Sequence, residues 1–186
     1  MTQMLTEIPI LTHDTPIPSV VEEFAAEALR RSKSIECFGF VLSSHSVVYR
    51  VLDALPRGTF CEWGSGMGIN TGIAAMLGFE AWGIELNPKL AAASRELLAE
   101  YGLDATILTG DYLEIECNAD VYFVYCWPGQ MMNVEARFLA TAPVRETINL
   151  SRRRRCKMQS AFVSSPNPIS CSIFFASSPE FTSEVW

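Results

Sequence analysis

Residues 61–68 read Cys-Glu-Trp-Gly-Ser-Gly-Met-Gly, with glycine at every second place from Gly64 to Gly68. The apolar run TFCEW (59–63) leads into this stretch, and a helical pattern from Ile69 to Leu77 leaves it. A strand that passes through glycines into a helix N-terminus leaves free backbone N–H groups facing outward, backed by the helix dipole. Glycine allows the sharp turn and the close approach of a ligand to the main chain. A bare strand-to-helix turn needs one glycine. Three in alternation point to a loop that holds a polar or negatively charged group.

The rest of the first 130 residues repeats the strand–helix theme. EAWGIEL (80–86), ATILTGD (105–111) and ADVYFVYCW (119–127) read as further strands. Pro88 suits the first turn of a helix that continues through KLAAASRELLAEY and stops at Gly102. Upstream, Ser19 is expected to cap a helix over 20–32, and Ser44 a second over 45–55 that Pro56 ends. Residues 1–17 read as an extended lead-in, and FGFVL (38–42) as an apolar run of either type. The strands are near-continuous apolar runs, as in parallel sheets covered on both faces. Their alternation with helices predicts an α/β, doubly wound, mostly parallel sheet.

Composition narrows the function. A chain of 186 residues with 49% hydrophobic content suits one domain with a real core. A net charge of −7 argues against non-specific binding to nucleic acid through phosphate neutralisation. Six cysteines occur without a C-x-x-C pair, which reads as reduced thiols of a cytoplasmic protein. The start, MTQMLTEIPIL, has no basic segment before an apolar core, so no signal peptide is expected, and no apolar run suits a membrane span. No metal-ligand spacing, nucleophile elbow or P-loop occurs.

Dinucleotide enzymes use G-x-G-x-x-G, whereas Gly68 comes one place too early for that fingerprint. The string E-x-G-x-G-x-G over Glu62–Gly68 instead resembles motif I of the class I S-adenosylmethionine-dependent methyltransferases. Further landmarks follow in order. Glu85 ends the second strand, and Asp111 follows the third in TGDYLE. The resemblance covers about residues 44–143 and implies a Rossmann-like fold with S-adenosyl-L-methionine as cofactor. It implies that Glu62 orients the loop or meets the methionine amino group, while Gly64, Ser65, Gly66 and Gly68 line the methionine portion. It further implies that Glu85, with Leu86 beside it, holds the ribose hydroxyls; a carboxylate can accept both hydrogen bonds of a cis-diol. Asp111 would take the adenine amino group and Tyr112 would lie along the adenine face.

Other features depart from that family. The fourth strand ends in Cys-Trp-Pro-Gly (126–129), not the N-P-P-Y or D-P-P-Y of enzymes that methylate base or amide nitrogens. Trp127 reads as an acceptor-pocket wall or as packing under the next helix. No general base is assigned: His13 and His45 read as surface or capping residues, and methyl transfer from a sulfonium often needs little beyond alignment. The chain divides into a lead-in and helix (1–43), a cofactor-binding core (44–143) and an atypical Ser/Arg-rich tail (144–186) with Arg152–Arg155 as a solvated run. ETINL (146–150), SAFVSS (160–165) and SCSIFFAS (170–177) are candidate late strands, the last two joined at Pro166-Asn167-Pro168. The expectation is that these C-terminal strands are missing or irregular. Ile148, Phe162, Ile173, Phe174 and Phe175 would then be weakly packed. The first functional reading is a methyltransferase on an unidentified acceptor. A non-catalytic S-adenosylmethionine-binding or regulatory module comes second, and an NAD(P)-dependent oxidoreductase third.

Overall fold

Each long apolar run becomes a strand because its neighbours on both sides are also apolar. A computed structural model describes residues 6–7, 15–37, 43–126, 130–141, 159–163 and 170–175. In chain order the elements are β1 (Thr6–Glu7), α1 (Ser19–Ser32), α2 (His45–Asp53), β2 (Thr59–Trp63), α3 (Ile69–Met76) and β3 (Glu80–Glu85). There follow α4 (Pro88–Glu100), β4 (Ala105–Thr109), β5 (Val121–Cys126), α5 (Met131–Thr141), β6 (Gln159–Val163) and β7 (Ser170–Phe175). β4, β3, β2 and β5 pair side by side and parallel, with Phe60 opposite Ala81 on one flank and Val121 on the other. This is the doubly wound α/β sheet the sequence predicts.

Side chains alternate across the sheet and build a core on each face. Phe60, Ala81, Ile107, Val121 and Phe123 pack with α1 to α4. Cys61, Trp63, Ile84, Tyr122 and Val124 pack with Val134 and Phe138 of α5. α1 is seated on α3 where the chain has no side chain: a Cβ at Gly72 would come within 2.5 Å of the Phe24 ring. Phe24 is wholly buried and also meets the edge of Tyr101, with ring centroids 5.0 Å apart.

Local signals at helix ends differ in detail from expectation. Ser19 is the first helical residue, Pro18 takes the cap position, and no side chain caps α1. Ser44 does precede α2, but its hydroxyl lies 3.0 Å from Ser46 Oγ and caps no backbone N–H. Asn87 is the working cap: its Oδ1 accepts from Lys89 N at 2.9 Å, and Pro88 opens α4 as expected. α2 closes when the Arg57 guanidinium donates to Leu52 O at 2.8 Å and Leu55 O at 2.7 Å, satisfying carbonyls that the helix end leaves open.

The C-terminal strands require a correction. Residues 159–163 and 170–175 are neither missing nor detached from the sheet. β7 runs antiparallel along β5, from Val121 opposite Phe175 to Cys126 opposite Ser170. β6 runs antiparallel to β7, and β1 adds parallel to β6, giving the order β1-β6-β7-β5-β2-β3-β4. The physical reason is the open flank of β5, whose backbone groups need partners. The candidate strand 146–150, the run 38–42, His13, Trp127 and Arg152–Arg155 lie outside the described residues, as do the side chains of Phe162, Ile173, Phe174 and Phe175.

Candidate functional site

β2 has β3 on one side and β5 on the other, so successive strands leave it in opposite directions. In open α/β sheets ligands bind in the crevice beyond the carboxyl ends of strands at such a reversal. The glycine loop follows β2 there. Gly64, Gly66 and Gly68 have φ of 79°, 54° and 72°, all in the left-handed region that side chains other than glycine resist. Gly64 N and Ser65 N donate to Ile84 O at 2.8 and 3.0 Å, laying the loop over the end of β3. Gly68 N donates to Ser65 O at 2.7 Å, and Gly72 N to Gly68 O at 2.8 Å starts α3. A Cβ at Gly64 would meet nothing within 4 Å, so one side of the loop is open to approach. A Cβ at Gly68 would overlap Ser94 Oγ, which closes the other side.

Glu62 lies beneath the loop and is 3% exposed. Its Oε2 accepts from Thr71 N at 2.9 Å and Thr71 Oγ1 at 2.6 Å, and its Oε1 accepts from Asn70 Nδ2 at 2.7 Å. Burial raises its pKa from 4.5 to about 7; the Thr71 and Asn70 hydrogen bonds oppose this, and the nearby Glu85 charge adds to it. Asn70 Nδ2 also donates to Ser43 Oγ at 2.9 Å, extending the network to the start of α2. Sequence reasoning found Glu62 but missed Asn70, Thr71 and Ser43. The available signal was a polar pair inside an otherwise apolar helix.

Glu85 reaches the loop from β3. Its Oε2 accepts from Gly66 N at 2.7 Å and its Oε1 from Asn87 N at 2.7 Å. Gly110 N donates to Glu85 O at 2.9 Å, which brings the turn containing Asp111 alongside. Asp111 Oδ1 accepts from Leu113 N at 2.8 Å, while Oδ2 carries no hydrogen bond among the described residues. Tyr112 stacks flat on Trp63, with centroids 5.6 Å apart and planes 5° apart, so one face of its ring is covered. Ser65 is buried, and its Oγ packs toward Gly83 with no hydrogen-bond partner among the described residues. Leu86 is 67% exposed beside Glu85. The structure thus brings the glycine loop, Glu85 and the Asp111 turn to one edge and puts Glu62 under them.

His45 Nε2 lies 2.8 Å from Glu22 Oε2 of α1. Among the described residues no group of three or more His, Cys, Asp or Glu could hold a metal ion. No described helix is long and apolar enough to cross a membrane.

No protein-family model and no curated protein matches this sequence. Among solved structures, cofactor-bound Rv0187 from MTB is similar with a TM-score of 0.53 at 15% identity, covering 88% of this chain and 99% of that one. A methyltransferase from Geobacter sulfurreducens is similar with a TM-score of 0.50 at 14% identity, covering 87% of this chain and 93% of that one. At these identities the likeness is one of fold. The chain has the Rossmann-like α/β fold that solved methyltransferases also have.

Proposed function

We propose that the chain binds S-adenosyl-L-methionine at the loop 64–68 and transfers its methyl group to an acceptor that these residues do not specify. The observation that carries this reading is the contact of Glu85 Oε2 with Gly66 N at 2.7 Å, which joins an acid at the end of β3 to an open glycine backbone. Each Glu85 oxygen accepts one main-chain N–H and keeps further accepting capacity, enough for the two hydroxyls of a ribose. Asp111 Oδ2 is the acceptor suited to an adenine amino group. The clear approach over Gly64 suits the methionine portion. Leu86, 67% exposed beside Glu85, offers apolar cover for the base. Glu62 has both oxygens engaged by α3, which supports the loop-orienting role over contact with the methionine amino group.

When bound, the cofactor supplies an electrophilic methyl on a sulfonium. The chain's own part is to hold it by main-chain and carboxylate contacts and to align it. The pairing of β7 with β5 gives the sheet a filled flank, which supports an enzyme over a binding module with a truncated fold. Cys61 and Cys117, both buried and not in a disulfide, support a cytosolic setting. The net charge of −7 argues against an extended nucleic-acid track.

The nicotinamide reading is weakened at one place. The third glycine of that fingerprint would fall on Ile69, which is buried at the start of α3. Separate calorimetric titrations of S-adenosylhomocysteine and NADH into the full chain test the choice. Saturable binding of the first and weaker or no binding of the second is expected. Tighter NADH binding, or no S-adenosylhomocysteine binding by folded protein at millimolar ligand, overturns it.

A further inference from the structure

We infer that Arg137 is a positioning residue that fixes the Asp111 turn for recognition of the adenine ring; this rests on the cofactor reading above. The turn is held from within: Asp111 O accepts from Glu114 N at 3.0 Å and Ile115 N at 2.9 Å, and Oδ1 accepts from Leu113 N at 2.8 Å. These bonds shape the turn but do not anchor it to the rest of the molecule. Three contacts from outside do: Gly110 N donates to Glu85 O at 2.9 Å where the turn begins, and two more hold the residues after Asp111. Trp63 of β2 stacks on Tyr112. Arg137 of α5 spans the turn, donating from Nε to Tyr112 O at 3.3 Å and from Nη2 to Ile115 O at 2.9 Å.

The base of Arg137 is rigid. Val134 and Phe138, on either side of it in α5, are wholly buried, and Phe138 meets the edge of Tyr122 at 5.4 Å between centroids. Tyr122 in turn meets Trp63 at 5.2 Å. The residues of α5 that flank Arg137 and the Trp63 ring therefore belong to one packed cluster, from which residues 112–115 are gripped from two directions. A planar guanidinium with several fixed donors can hold two carbonyls at once, which an ammonium cannot do in the same geometry. Asp111 Oδ2, the atom that would read the adenine amino group, depends on where this turn sits.

The test compares S-adenosylhomocysteine with S-inosylhomocysteine, whose base has a carbonyl in place of the amino group, on the wild type and Arg137→Gln. Wild-type protein is expected to prefer the adenosyl form by about tenfold or more, the size of a charge-assisted hydrogen bond lost. In Arg137→Gln the preference should fall at least threefold beyond any general loss of affinity. A purely structural role would weaken both ligands alike and leave the ratio unchanged. That unchanged ratio in a folded variant overturns the inference. If the glutamine variant does not fold, Arg137→Lys decides by the same ratio: its ammonium keeps the charge but lacks the planar fork, and a smaller but measurable fall is expected. Failure of the wild type to bind S-adenosylhomocysteine removes the cofactor reading and this inference with it; binding with an unmoved ratio removes this inference alone.

Discussion

Glu62 combines 3% exposure with three hydrogen-bond donors, and burial still wins: its pKa is pushed up to about 7. The sign of the consequence follows directly. Below about pH 4.5 both folded and unfolded chains hold the proton. Between about 4.5 and 7 the unfolded chain loses it while the folded chain keeps it, so stability falls as pH rises through that window and levels off above it. From the printed values the loss is of order 3 kcal/mol. Glu27, held down near 2 by Arg30 and Arg31, titrates below this window. Urea unfolding at pH 5 and pH 8 should show wild type losing stability at the higher pH, with the loss much smaller in Glu62→Gln; equal losses would contradict the assignment. The acid itself was legible in the sequence, two places before the first glycine. Its donors were not, because Asn70 and Thr71 become neighbours of Glu62 only when α3 folds back against β2. Glu85 also does more than the motif implied. It accepts from Gly66 N and Asn87 N, so its removal should lower the melting temperature even without ligand.

At the level of elements, the parallel strands were legible because burial on both faces leaves unbroken apolar runs. TFCEW matches β2 residue for residue, and the other expected runs overhang β3, β4 and β5 by a residue or two at their ends. Caps were less legible. Asn87 works as one because its side chain accepts from the first turn, whereas Ser44 spends its hydroxyl on Ser46. The late hairpin was the least legible part. Its serines break the apolar pattern, and its place depends on pairing with β5, a contact that no local window contains. A chain ended at residue 158 would lose β6 and β7 and leave β5 as a bare edge. It should melt at a lower temperature and self-associate, as read by thermal unfolding with light scattering. A monomeric product with unchanged melting would mean that the hairpin contributes nothing to the sheet.

For the whole molecule, one site lies where the sheet reverses direction, with a loop of left-handed glycines, an acid from β3 and a turn after β4 converging on it. Such an acid could serve the loop alone. The claim that it also holds a ribose is tested most directly by a double cycle of affinities: S-adenosylhomocysteine and its 3′-deoxyribose analogue, each titrated into wild type and Glu85→Ala at a temperature where both are folded. Coupling between two groups appears only if they touch or share a network. Removing the hydroxyl is expected to weaken wild-type binding by about tenfold and Glu85→Ala binding by less than about twofold. An equal loss in both proteins would show that Glu85 does not meet the ribose and would contradict the site.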